Sequence, residues 1–125
     1  ISLFLLTADC LPIIFYDPVK KVLSLAPVGR KGAELNLPVK VVEQMVLKFG
    51  CIPSEIVAAI GPAIGPECYE GTDFVGHAAS SLRDVKVKVV DSKHCVCHEP
   101  GFFSHVGSVK NGTPEKRFAT LVSLK

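Results

Sequence analysis

Residues 59–70 read AIGPAIGPECYE, and the two Gly-Pro pairs in this stretch constrain the fold more than any other feature of the sequence. Pro62 and Pro66 lack a backbone N–H and have a fixed φ, so a strand cannot continue its hydrogen-bonded ladder through them. The residue before a proline is steered towards extended backbone, which stiffens the stretch. The preceding apolar run, EIVAAI at 55–60, is typical of a buried strand. We therefore expect a strand that leaves the core and continues as a rigid loop.

This rigid loop is a candidate binding element, because loops held on a rigid scaffold often carry binding residues. The alternative is a tight connection without a chemical role, since turns are the commonest use of Gly and Pro. The candidate substrate-binding residues of the loop are Gly61, Pro62, Gly65, Pro66, Cys68 and Tyr69.

The apolar pattern predicts a mixed β-sheet core. The continuous apolar run at 1–6 is typical of a strand buried on both faces. Residues 11–16 and 21–26 flank Asp-Pro-Val-Lys at 17–20, which predicts a hairpin. Alternating or short apolar runs predict two further strands, at 85–90 and 117–124.

Few helices are predicted. The clearest has Asn36 as its N-cap, Pro38 in its first turn and Gly50 at its end. A weaker helix is predicted over 72–83. Because strands outnumber helices and do not alternate regularly with them, the fold class is α+β rather than a doubly wound sheet.

Composition narrows the functional classes. With 125 residues and 48% hydrophobic residues, the chain is expected to fold as a single domain, 1–125. A net charge of +2 without a dense basic cluster argues against nucleic-acid binding. The apolar start is interrupted by Asp9 and Pro12 and is too short for a membrane span. Five scattered cysteines favour reduced thiols, and hence a cytoplasmic location.

Three motifs occur in the order found in a known family. They are TADCLPI at 7–13, AIGPAIGPECYE at 59–70 and HCVCHEPGFFSHVGSVKNGTPEKRFATLVSL at 94–124. The chain resembles the laccase-like multicopper polyphenol oxidases, whose members have been reassigned as purine nucleoside phosphorylases with adenosine deaminase activity. The resemblance implies a laccase-like, glutamine-deamidase-like fold, without the N-terminal portion of the family. It also implies a purine nucleoside and phosphate as substrates.

The resemblance further implies a metal site, with zinc or, in the older family assignment, copper. Cys10 matches the cysteine ligand of the family, and Pro27 stands where the family has a histidine ligand. A proline cannot bind a metal, and the third ligand lies upstream in the family. Lys31 stands at an arginine position and would hold phosphate. Cys10 would act as ligand or nucleophile, and Asp9 as a general base.

A second set of potential metal ligands lies near the C-terminal motif. On a strand, alternate side chains face opposite ways, so two or three of this set could converge on one ion. The alternative is solvated histidines with partly buried cysteines. The set comprises His94, Cys95, Cys97 and His98.

The sequence leaves three functional hypotheses open and gives no signal for an oligomeric state. The first is a purine nucleoside phosphorylase. The second is a non-catalytic relative that binds a nucleotide-like ligand or a protein partner. The third is a cysteine-dependent amidohydrolase, in which His94, His98 or His105 would have to activate the thiol of Cys10.

Overall fold

A computed structural model of the chain describes residues 1–97 and 99–125. The structure confirms the α+β class. The strands are β1 (Ser2–Thr7), β2 (Leu11–Asp17), β3 (Val22–Val28), β4 (Val57–Ile60), β5 (Lys88–Asp91) and β6 (Phe118–Ser123). The helices are α1 (Arg30–Glu34), α2 (Leu37–Phe49), α3 (Phe74–Asp84) and α4 (His105–Asn111), with 3-10 turns at Pro53–Glu55 and Pro66–Cys68.

The strands form two sheets. One has the order β3-β2-β4-β5, with β2 antiparallel to β3 and β4, and β4 parallel to β5. The other pairs β1 antiparallel with β6. The core lies between the four-stranded sheet and the helices α2 and α3. Its fully buried members include Ile13, Phe15, Ile56, Ile60 and Leu82.

The prediction that the first strand is buried on both faces is wrong. In β1 burial alternates along the strand, and Phe4 and Leu6 are 61% and 49% exposed. β1 has one strand neighbour in its sheet, β6, and one of its two faces lies away from the rest of the described residues. The apolar run therefore predicted the strand correctly, but it did not predict how much of the strand is buried.

The hairpin between β2 and β3 is confirmed. Asp17 pairs with Val22 in the register, and the chain reverses between them. The Asp17 carboxylate accepts hydrogen bonds from the backbone N–H groups of Val19 (2.8 Å) and Lys20 (3.0 Å). An aspartate at the first turn position commonly makes such bonds, which stabilise the turn through contacts local in sequence.

The strongest helix prediction is confirmed, with one correction. α2 ends at Gly50, whose φ of 68° is the left-handed conformation that glycine adopts at little cost. Asn36 occupies the N-cap position but has a φ of 55° and makes no capping side-chain hydrogen bond. The weaker helix is confirmed as α3, with Asp73 accepting a bond from the Gly76 N–H at 2.9 Å.

Two helices were not predicted, and one strand began too early. α1 has only five residues, too short for a hydrophobic period to show. α4 carries local sequence signals at both ends, with Ser104 as a side-chain cap and Gly112 at its end. The predicted strand at 85–90 is wrong at its start, because Val87 N–H still bonds to Leu82 O at the end of α3. No helix in the described residues is long and apolar enough to cross a membrane.

Candidate functional site

A cavity of about 320 Å³ opens beside Cys10, where four separate parts of the chain meet. These parts are the connection between β1 and β2, the start of α1, the segment from the Gly-Pro loop to the start of α3, and the segment from α4 to β6. Aromatic, acidic and cationic side chains are all present in its wall. The lining residues that carry chemistry are Asp9, Cys10, Arg30, Tyr69, Phe74, His105, Glu115 and Arg117.

The Gly-Pro loop is fastened to the connection between β1 and β2. The N–H of Gly61 donates to Pro12 O at 2.8 Å, and that of Ile64 donates to Asp9 O at 3.0 Å. A Cβ on Gly61 would lie 2.8 Å from Cγ of Pro12. The first glycine of the repeat is therefore required for the close approach of two backbones. This contact gives a structural reason for the first Gly-Pro pair. Tyr69, beyond the second Gly-Pro pair, reaches the cavity.

Asp9 anchors α4 to the wall of the cavity. One carboxylate oxygen accepts a hydrogen bond from the Val106 N–H at 2.8 Å, and the other accepts one from Ser104 Oγ. Ser104 Oγ in turn accepts from the Gly107 N–H at 3.0 Å. With both oxygens directed at α4, this geometry favours a positioning role for Asp9 over the general-base role expected from the sequence.

The thiol of Cys10 lies half-buried in the cavity wall. Burial raises its pKa, the neighbouring charge of Asp9 raises it further, and the charge of Arg117 opposes both. A Cβ on Gly29 would lie 3.0 Å from Cys10 Sγ, so the glycine leaves room for the sulfur. The thiol is therefore protonated at neutral pH, the form that is a poor nucleophile.

Two guanidinium groups from distant parts of the chain line the cavity. Arg30, on α1, hydrogen-bonds Glu34 through Nε at 3.4 Å, and bonds to Glu34 and Tyr69 raise its pKa. Arg117 lies just before β6, with Nη2 3.5 Å from Glu115 Oε1. Lys31, the phosphate ligand expected from the sequence, is exposed and does not line this cavity.

A histidine completes the polar lining. His105, the first residue of α4, places Nδ1 3.1 Å from Glu115 Oε1. The sequence suggested His105 as one of three histidines that could activate the thiol of Cys10. The structure places both in one cavity, without a hydrogen bond between the two side chains. Arg117 could have been found from the sequence, because it lies in the RFATL part of the C-terminal motif. Glu115 carried no such signal.

Other residues of the predicted substrate loop line a second cavity. Gly65 and Pro66 line a separate cavity of about 310 Å³, together with His94 and Cys95. The Gly65 N–H donates to Cys95 Sγ at 3.2 Å, and Cys95 Sγ lies 3.8 Å from Cys68 Sγ. Burial and hydrogen bonds to Cys97 and Cys95 raise the pKa of Cys68 to about 12. The predicted substrate loop and the predicted ligand cluster therefore meet, but away from Cys10.

The described residues do not assemble a metal site. His94 is exposed, with Nδ1 3.0 Å from Glu99 Oε2, whereas Cys95 is buried. His98 lies outside the described residues. Pro27, at the family's ligand position, is exposed in β3 opposite Pro12. Within residues 1–97 and 99–125, no three His, Cys, Asp or Glu side chains are placed to hold an ion. The metal that the family name implies therefore does not fit these residues.

Comparison with known proteins places this geometry in a family. The human purine nucleoside phosphorylase LACC1 is 36% identical over 92 residues, which is 74% of this chain and 21% of that protein. Purine nucleoside phosphorylase YlmD of Bacillus subtilis is 42% identical over 82 residues, 66% of this chain and 30% of that protein. The chain therefore spans about a fifth to a third of these curated relatives.

Solved structures agree with the sequence relatives. The crystal structure of hypothetical protein YfiH from Bacillus licheniformis matches with a TM-score of 0.88 at 27% identity, covering 99% of this chain and 58% of that one. YlmD from Geobacillus stearothermophilus matches with a TM-score of 0.87 at 27% identity, covering 97% and 56%. The family profile described as multi-copper polyphenol oxidoreductase laccase matches residues 1–80, more than half of the sequence. The chain belongs to the multi-copper polyphenol oxidoreductase laccase family.

Proposed function

We propose that this chain forms part of a purine nucleoside phosphorylase and that the cavity beside Cys10 binds the nucleoside and phosphate. The observation that carries the proposal is the pairing of two guanidinium groups with two aromatic rings in one cavity. The human LACC1 and Bacillus subtilis YlmD relatives, both named purine nucleoside phosphorylases, support it. A volume of about 320 Å³ lies within the usual range for small-molecule sites.

Arg30 and Arg117 are the proposed phosphate ligands. A guanidinium is always protonated and presents donors in a planar fork that suits phosphate oxygens. Both line the cavity, whereas Lys31 does not. We therefore assign phosphate binding to this arginine pair in place of the lysine.

Tyr69 and Phe74 are the proposed contacts of the purine ring. Their ring centroids are 5.2 Å apart and their planes are tilted by 55°, so they form a continuous aromatic wall. Aromatic faces stack on nucleobases with little sequence preference. In phosphorolysis, a phosphate oxygen forms a bond to C1′ of the ribose while the bond between C1′ and purine N9 breaks. The proposed site would hold phosphate and base on either side of that carbon.

The amidohydrolase hypothesis gains no support from the same cavity. It requires a thiolate at Cys10, and burial together with Asp9 raises the pKa of that thiol. Only a measurement of enzymatic activity distinguishes the non-catalytic hypothesis from this proposal.

The test is phosphate-dependent release of hypoxanthine from inosine and of adenine from adenosine, with ribose 1-phosphate as the second product. Arg117→Gln should raise the KM for phosphate by roughly 10-fold or more, as expected for loss of a charge-assisted hydrogen bond. Lys31→Gln is the matched control, because Lys31 is exposed and outside the cavity lining. Absence of phosphate-dependent base release would refute the proposal. An equal effect of both substitutions would refute the arginine assignment.

A further inference from the structure

We infer that His105, oriented by Glu115, is the group that donates a proton to the purine as it leaves. This inference rests on the proposed function and adds a catalytic residue to it. The imidazole of His105 lines the same cavity as Arg30, Arg117, Tyr69 and Cys10.

His105 is held in place by its backbone and by its ring. Its neighbours Ser104 and Val106 both donate hydrogen bonds to the carboxylate of Asp9, which fixes the first turn of α4 against the cavity. On the ring, Nδ1 lies 3.1 Å from Glu115 Oε1. A carboxylate at one ring nitrogen fixes the orientation of the ring and leaves Nε2 to serve a ligand.

The other polar groups described in the lining are poorly suited to give up a proton near neutral pH. Arg30 and Arg117 stay protonated in proteins. The Asp9 oxygens are occupied by α4. Burial raises the pKa of the Cys10 thiol, which makes it a weaker acid than an ordinary cysteine. Histidine is the side chain whose ordinary pKa allows both gain and loss of a proton in this range.

The proposed proton transfer conserves atoms and charge. As the phosphate oxygen bonds to C1′ and the bond to N9 breaks, the electron pair of that bond moves into the purine ring. The proton on Nε2 of the His105 imidazolium passes to N7, and the neutral base leaves. His105 then takes up a proton from solvent, equal to the one that ribose 1-phosphate releases. Glu115 is a positioning residue in this scheme, since it acts through the imidazole.

The experiment compares two substrates in the wild-type protein and in His105→Gln. Inosine needs a proton on its leaving base, whereas 7-methylguanosine already carries a positive charge on its imidazole ring and leaves without one. General acid catalysis contributes about 10²- to 10⁴-fold. We expect His105→Gln to lower kcat for inosine by at least about 100-fold, and for 7-methylguanosine by less than about 3-fold.

Two further variants test the role of Glu115 and the specificity of the effect. Glu115→Gln should lower kcat for inosine by a smaller factor than His105→Gln and should likewise spare 7-methylguanosine. His77→Gln is the matched control, because His77 is exposed on α3 and does not line the cavity. Equal loss with both substrates would overturn the inference, because it would indicate a structural or binding role. Unchanged inosine turnover in His105→Gln would overturn it as well. A wild-type protein that cleaves neither substrate would refute the proposed function, and this inference with it.

Discussion

The carboxylate of Asp9 accepts a hydrogen bond from the backbone N–H of Val106 at 2.8 Å, joining two residues that are 97 positions apart. Cys10 and His105, their direct neighbours in the chain, reach the same cavity as a result. One partly buried contact between the first motif and α4 thus sets the geometry of the proposed site.

Removing this carboxylate should loosen α4. Asp9→Ala removes the acceptor for both Ser104 and Val106. Hydrogen bonds to a charged group contribute about 1.5–3 kcal/mol each, so we expect a loss of about 2 kcal/mol or more in the free energy of unfolding. Asp9→Asn should cost less, because it keeps one acceptor oxygen. Urea denaturation measures the loss, and amide hydrogen exchange should show it concentrated in α4.

The control for that substitution is Asp84→Asn, an exposed acid at the end of α3. It should leave both the urea midpoint and the exchange of α4 unchanged. An Asp9→Ala protein with wild-type protection in α4 would contradict the anchoring role.

Gly61→Ala should destabilise the loop at the cavity. The added Cβ would lie 2.8 Å from Cγ of Pro12 and 3.3 Å from its carbonyl oxygen, and a proline ring cannot move aside cheaply. We expect a cost of about 1–3 kcal/mol by thermal or urea unfolding, as for overpacking elsewhere. Gly71→Asn is the control. Gly71 has open space around it, and asparagine tolerates its φ of 76° better than most residues. Equal losses would mean that Pro12 is not the obstacle.

The turn at Asp17 should make stability sensitive to acid. Hydrogen bonds from the backbone, chiefly that of Lys20, lower the pKa of this carboxyl from 3.8. A lowered folded-state pKa contributes stability that is present above the unfolded value and lost as the pH falls through the folded value. The wild-type melting temperature should therefore fall more steeply below about pH 4 than that of Asp17→Asn. Parallel curves for the two proteins between pH 5 and pH 2 would contradict this.

Cys10 should react slowly with alkylating agents at neutral pH. Its pKa is raised by burial and by Asp9 and lowered by Arg117. Labelling by iodoacetamide, followed on the Cys10 peptide by mass spectrometry, should accelerate with rising pH. Asp9→Asn should speed labelling at a fixed pH, and Arg117→Gln should slow it. Rapid labelling at pH 6 in the wild-type protein would instead favour the amidohydrolase hypothesis.

Features set by neighbouring residues were predicted well. The end of β4 at Ile60, the turn after Asp17 and the end of α2 at Gly50 all follow from backbone restrictions that act over a few residues. The three motifs likewise identified the family before any geometry was available. The missed helix α1 is the complementary case, since five residues carry too short a pattern to read.

By itself, the sequence determined the α+β class, the family and the points where the chain must turn, because these depend on local backbone preference and on motif order. Only the tertiary structure decided which charged groups share the cavity. Arg30, rather than the adjacent Lys31, lines it. His105 and Arg117 join it from the far end of the chain because Asp9 anchors α4 there. Such convergence depends on packing between elements distant in sequence, which no local pattern encodes.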